Sequence, residues 1–290
     1  MGAADIVPGV SGGTIALVLG IYDRLIKNIR TGARGLKQIL TGDIDGVRRT
    51  LRDIEWLWLT ALLVGILAAV ASLSSVIERL LEDETVAMAG LFFGLVVGTI
   101  WIAWHLLERV DAVTIAIMTG VGLVLFFLLG LREDTEVAEG TEEIVTQPFW
   151  VFALAGALAI CAMILPGISG SFILVMIGMY TEVLGAVNDR EFASLAAFVV
   201  GCVIGLALFS TLLHWLLEHY RNQVVAAMIG LMLGSMRVLW PWPNGTFTTT
   251  IEAPSGDVAL PIALALGGAA IVIAVEHFSS RVGTMPDSLD

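Results

Sequence analysis

Charge is what this chain has least of. Only 14% of its 290 residues are Asp, Glu, Lys or Arg, against roughly 25% in a soluble globular domain. With 57% hydrophobic residues and a mean hydropathy of +0.90, a water-soluble fold is excluded. Cys161 and Cys202 are the two cysteines, each alone in an apolar run. They suit small buried positions rather than a disulfide, and neither they nor the four scattered histidines have metal-ligand spacing. The apolar runs do not alternate as barrel strands would. A charged n-region followed by a short apolar core is also missing, so no signal peptide is read. Lysine is nearly absent: Lys27 and Lys37 stand among 15 basic residues, against 27 acidic ones, for a net charge of −12. That balance points away from a nucleic-acid partner and suits a host whose proteins face high salt.

What is present is a set of apolar runs near the roughly 20 residues that cross a bilayer as a helix, and a repeated break. Asp5-Ile6-Val7-Pro8-Gly9-Val10-Ser11-Gly12-Gly13-Thr14 returns 158 residues later as Met163-Ile164-Leu165-Pro166-Gly167-Ile168-Ser169-Gly170-Ser171-Phe172. Between residues 6–22 and 164–180, eight of 17 positions are identical, and both copies end Gly-x-Tyr, at Tyr22 and Tyr180. Pro lacks an amide donor and Gly disfavours helix interiors, so Pro8-Gly9 and Pro166-Gly167 are structural breaks. The duplication continues beyond them. Residues 62–83 align on 198–219 without gaps, and Gly90 and Gly94 pair with Gly230 and Gly234. Gly90, Gly94 and Gly98 form a stripe at four-residue spacing, which lets a neighbouring helix approach closely.

The expected fold is an all-α integral membrane protein: an inverted-repeat bundle with two opposed re-entrant, broken-helix elements and about six full transmembrane helices. Repeat one covers 1–131, with a re-entrant element at 1–26, a basic cytoplasmic segment at 27–55 and spans at 56–77, 86–107 and 112–131. An acidic extracellular loop occupies 132–148. Repeat two covers 149–290, with its re-entrant element at 149–184, three more spans and a short tail. Within the first element, residues 14–26 read as one short apolar helix. The segment 27–55 mixes Leu and Ile with seven basic residues, which suits either a helix on the membrane surface or a solvated linker. Basic loops stay inside, so this segment fixes the orientation. If each break dips in and returns, each repeat has three crossings and the copies are inverted; if each crosses, each repeat has four and the copies are parallel. The short arms and the charge bias prefer the dipping version. Repeat two has an apolar lead-in at 149–165 and repeat one has only seven residues before its Pro-Gly, so a start upstream of Met1 is favoured over a missing helix.

Irregular backbone at membrane depth survives only when buried in protein or lining a cavity, and inverted repeats with interrupted helices place a site between the copies. Helix starts after each break expose amides and a positive dipole end. Ser11, Gly12, Gly13 and Thr14, with Ser169, Gly170 and Ser171, are therefore candidate ligands for an anion such as phosphate. The competing interpretation is that the serines merely cap helices. Arg237 is a candidate counter-charge, or else it snorkels to the interface beside Trp240 and Trp242. Asp5, whose repeat partner is Met163, is either an intramembrane coupling carboxylate or a solvated one. Arg24, Tyr22 and Tyr180 are gating candidates or rim groups.

Residues 4–14, 19–25 and 230–242 resemble the signatures of the DUF368 family, whose members include polyprenyl-phosphate transporters (PopT). The resemblance covers residues 1–280. It implies a plasma-membrane flippase, not an enzyme, that returns undecaprenyl or dolichyl phosphate to the cytoplasmic leaflet for reuse as a glycan carrier. It further implies no cofactor beyond a coupling H+ or Na+; oligomeric state is left open. A small-anion transporter or channel is the alternative, and a lipid phosphatase or scaffold fits less well.

Overall fold

The computed structural model describes residues 1–2, 11–130 and 147–282. Asp5, Pro8, Gly9 and most of the acidic loop lie outside the described residues. Every regular element among those described is helical: α1 (Gly12–Val18), α2 (Tyr22–Thr41), α3 (Ile44–Asp53), α4 (Trp56–Asp83), α5 (Thr85–His105), α6 (Ala112–Gly130), α7 (Phe149–Ile164), α8 (Gly170–Met176), α9 (Tyr180–Asn188), α10 (Phe192–His219), α11 (Arg221–Ser235) and α12 (Ala259–Val282), with a 3-10 turn at Gly245–Phe247. Five of them, α4, α5, α6, α10 and α12, are long and apolar enough to cross a bilayer, so this is a multi-pass membrane protein.

Three expectations shift at their boundaries. The helix anticipated at 14–26 is two helices. Gly20 takes φ +67, its amide bonds Leu17 O and that of Ile21 bonds Ala16 O. These capping bonds end α1 because only glycine adopts this left-handed conformation without strain. Copy two ends α8 the same way, with Gly178 at φ +68 and Met179 N bonded to Leu174 O, and there α8 and α9 meet at 110°. Second, the first span continues through Leu80, Leu81 and Glu82 to Asp83 rather than stopping at 77. Third, α11 has 15 residues and stops at Ser235, where a run of turns carries the chain past Arg237.

Three close helix pairs organise the bundle, and small residues line each. Gly90, Gly94 and Gly98 of α5 face Pro261, Ala265 and Ala269 of α12, so the glycine stripe seen in the sequence is indeed a seam. Gly230 and Gly234 of α11 face Met118, Gly122 and Leu125 of α6. Gly201 and Gly205 of α10 face Ala153 and Ala157 of α7. A Cβ at Gly94 would stand 1.9 Å from Ala265 O, and one at Gly201 1.8 Å from Ala153 O. Such contacts replace the hydrophobic drive that lipid does not supply. In every seam the residue numbers rise together on both partners, so all three pairs are parallel.

The loops sort onto two ends. Asp23 pairs with Arg221 at 3.0 Å, Arg30 lies 3.8 Å from Glu218, and Asn222 donates to Arg109 O at 2.7 Å. These join the first half of α2 to the loops after α5 and between α10 and α11. At the other end of α5, Gly245 packs on Thr85, joining the loop after α11 to the turn between α4 and α5.

Candidate functional site

The residues that follow the first break lie against the second break. Ser11 is extended (φ −126, ψ 153) and caps α1 through the Thr14 amide. Its hydroxyl also donates to Leu165 O at 3.1 Å. The Gly167 amide donates to Thr14 Oγ1 at 3.1 Å, and Tyr22 OH donates to Ile164 O at 3.1 Å. Three residues of copy one are thus bonded to three backbone positions of copy two, at Ile164, Leu165 and Gly167. The approach is close: a Cβ on Gly13 would stand 2.6 Å from Ile164 O. Gly12, Gly13, Ser11 and Thr14 are all buried.

Copy two holds its matching residues differently. Ser169 starts α8 in the extended conformation but its side chain makes no capping bond. Its hydroxyl lies 2.7 Å from that of Ser171, and Ser171 is exposed whereas Gly170 is buried. Tyr22 and Tyr180 are equivalent in sequence, yet Tyr22 is 3% exposed and Tyr180 40%. The two copies therefore differ: Ser11, Thr14 and Tyr22 form a closed junction in one, and Ser169 and Ser171, the latter at the position of Gly13, form an accessible hydroxyl pair in the other.

Pro166 and Gly167 pack on α11; a Cβ on Gly167 would stand 2.9 Å from Met232 Cα. Met232 is eleven residues beyond Arg221, the first residue of α11. At 1.5 Å per residue the second break sits about 16 Å along α11 from that end.

Arg237 follows the end of α11. Its Nε donates to Thr249 O at 2.9 Å and its guanidinium lies 4.8 Å from the Phe126 ring centroid. Gly130 makes room, since a Cβ there would meet the guanidinium carbon at 2.5 Å. Among the described residues no carboxylate forms an ion pair with Arg237. Val238, beside it, packs with Ile168 and Phe172, which flank the second serine pair. Arg24 is placed elsewhere: it binds Glu55 and stacks 4.6 Å from the Trp58 ring near the start of α4. That pairing, with Asn28 adding a bond, holds the Glu55 carboxyl below the usual carboxylate range.

Sequence reasoning did not identify the partners of these groups. Ile164 and Leu165 act through main-chain carbonyls, which leave no side-chain signature, and Phe126, Gly130 and Thr249 meet Arg237 only in the folded bundle.

With this geometry in place, relatives can be compared. A polyprenyl-phosphate transporter of Vibrio cholerae is 40% identical over 261 residues, covering 90% of this chain and 80% of that protein. One of Staphylococcus aureus is 29% identical over 251 residues, 83% of each chain. No solved structure matches significantly. The family described as undecaprenyl phosphate translocase-like matches over residues 1–256, and the chain belongs to that family.

Proposed function

We propose that this protein carries polyprenyl phosphate, of the undecaprenyl or dolichyl type, across the plasma membrane to the cytoplasmic leaflet for reuse as a lipid carrier. The observation that carries the reading is the contact of residues 11–22 with the second break, with the Ser169 and Ser171 hydroxyls open beside it. A lipid phosphate needs polar donors within the membrane and a lateral opening for its tail. Ser169 and Ser171 supply hydroxyls, Gly170 packs the start of α8 against α7, and Arg237 supplies a cation with no competing carboxylate among the described residues. Gly12 and Gly13, with Ser11 and Thr14, form the opposing half of the site, engaged with the junction in this conformation. No bond of the lipid is broken.

The parallel seams support an inverted duplication. α5 and α11 are repeat partners, as are α6 and α12. Copies in the same orientation would make α5 and α12 antiparallel; the observed register makes them parallel, as three crossings per repeat require. The parallel run of α7 and α10 supports a re-entrant second element, because α8 and α9 must return the chain to the level where α7 began. Transport then proceeds by rocking of the repeats, with the Ser11, Thr14 and Tyr22 bonds breaking as the first half opens. Asp5 is the proposed coupling carboxylate for H+ or Na+, with Tyr22 and Tyr180 as gates.

The test is reconstituted flipping of a labelled polyprenyl phosphate, with inorganic phosphate flux as the parallel arm. Ser169→Ala with Ser171→Ala should lower lipid flipping at least tenfold in protein that remains folded. Unchanged flipping refutes the site, and phosphate flux without lipid flipping favours the small-anion alternative. If Asp5→Asn keeps its dependence on the ion gradient, the coupling role fails.

A further inference from the structure

Beyond Tyr22, the hairpin of α2 and α3 takes no part in the hydrogen bonds of the junction. Gly42, at φ +73, turns the chain, and Asp43 caps α3 through the Gly46 amide at 2.9 Å. The two helices join where Gly35 faces Thr50 and where Thr50 Oγ1 donates to Gln38 Oε1 at 2.7 Å. Counting 100° per residue from that seam puts Leu36, Ile39 and Leu40 of α2 on the same side of the hairpin as Ile44, Val47 and Leu51 of α3. This side is bare: Leu40 is 81% and Ile44 80% exposed, and Ile39 and Leu51 are exposed as well. Arg34 and Arg49 fall on the opposite side, and Lys37, Arg48 and Arg52 fall along the edges. All five are exposed, and none forms an ion pair among the described residues.

We propose that this hairpin docks on the anionic headgroups of the cytoplasmic leaflet, apolar side inward. Charge complementarity selects the occupant. Residues 24–55 hold eight of the 15 basic residues and only four acidic ones, within a chain of net charge −12. An apolar stripe edged by Arg and Lys is the pattern of helices lying in the interface. The base of the hairpin also stands at the right level: Trp56 donates from its indole to Leu51 O at 2.8 Å and opens the spanning helix α4, and Trp collects at membrane–water interfaces. Docking would hold α2, whose first residue is the Tyr22 of the junction. The inference does not depend on what is transported.

The test places a polarity-sensitive fluorophore on Leu40→Cys and, separately, on Ile44→Cys, in full-length protein with Cys161 and Cys202 changed to Ala. Each is reconstituted in nanodiscs of phosphatidylcholine alone or with added phosphatidylglycerol. Docking gives blue-shifted emission in the anionic discs, quenched by spin-labelled lipid. Replacing Lys37, Arg48 and Arg52 with Gln should cut the docked-to-free ratio roughly fivefold per charge, from about 1 kcal/mol each. Aqueous emission in both discs, or a blue shift indifferent to the three substitutions, overturns the proposal and assigns the face to another partner.

Discussion

Gly65 and Gly201 occupy equivalent positions in the two halves, and the structure predicts opposite responses to the same substitution. In α10, a Cβ on Gly201 would stand 1.8 Å from Ala153 O, 2.5 Å from its carbonyl carbon and 2.7 Å from its Cα. All three are backbone atoms of α7, so no side chain can swing away. Ordinary contact begins near 3.4 Å, and the α7–α10 seam must open by over an ångström. Overpacking of this kind costs about 1–3 kcal/mol, whereas alanine returns at most about 1 kcal/mol of helix propensity. In α4, a Cβ on Gly65 meets nothing within 4 Å, so only the propensity gain of about 0.5–1 kcal/mol remains. Thermal unfolding in a single detergent should show Gly201→Ala lowered by roughly 2–8 °C and Gly65→Ala unchanged or slightly raised, at about 2–4 °C per kcal/mol. Equal losses in both variants would mean that α4 is covered as tightly as α10. No loss at Gly201 would refute the seam.

Other perturbations reach the junction, the inner face and the cation. Thr14→Val leaves the buried Gly167 amide without an acceptor and should cost about 1–3 kcal/mol, with Thr14→Ser restoring most of it in the same melt. Tyr22→Phe should lose about 1 kcal/mol while Tyr180→Phe is neutral in stability, and equal effects would deny the asymmetry between the copies. Because the Glu55 carboxyl is held below its usual range by Arg24, its contribution is present at neutral pH and fades as acidification passes through and below that range. Melts of wild type and Glu55→Gln should therefore converge toward low pH, and parallel curves would deny the Arg24–Glu55 pair a role in stability. Arg237→Lys keeps the charge but loses the flat surface over Phe126 and the Nε donor to Thr249 O. Flipping should fall, and full activity in the lysine variant would leave only a charge requirement.

Much of this architecture was legible because membrane packing writes itself in small residues and in order. Gly90, Gly94 and Gly98 mark a seam by their spacing alone, and the second signature marks the irregular backbone at Pro166-Gly167. Three features did not show. The apolar run after each break does not reveal that Gly20 and Gly178 adopt positive φ, since a glycine inside an apolar helix reads the same way. The extension of the first span to Asp83 was masked by acidic residues that helix geometry tolerates at an interface. The bonds of Ser11, Thr14 and Tyr22 end on backbone atoms of residues 164–167, which sequence pattern does not encode.

The difference between the copies is the consequence that matters for mechanism. Ser11 and Ser169 follow the same Pro-Gly-x signature, but Ser11 precedes Gly12-Gly13-Thr14 and Ser169 precedes Gly170-Ser171-Phe172. One is buried as a cap and crosslink, and the other is left with a hydroxyl neighbour and no capping bond. Both the neighbouring residues and the placement of the two halves contribute to that difference. The Thr14 hydroxyl that accepts from the Gly167 amide has Phe172 at its repeat position, so copy two has no side chain to make the same bond to copy one. The asymmetry is therefore chemical as well as positional: three hydrogen bonds commit copy one to the backbone of copy two, while the hydroxyls of Ser169 and Ser171 keep each other as neighbours and remain accessible.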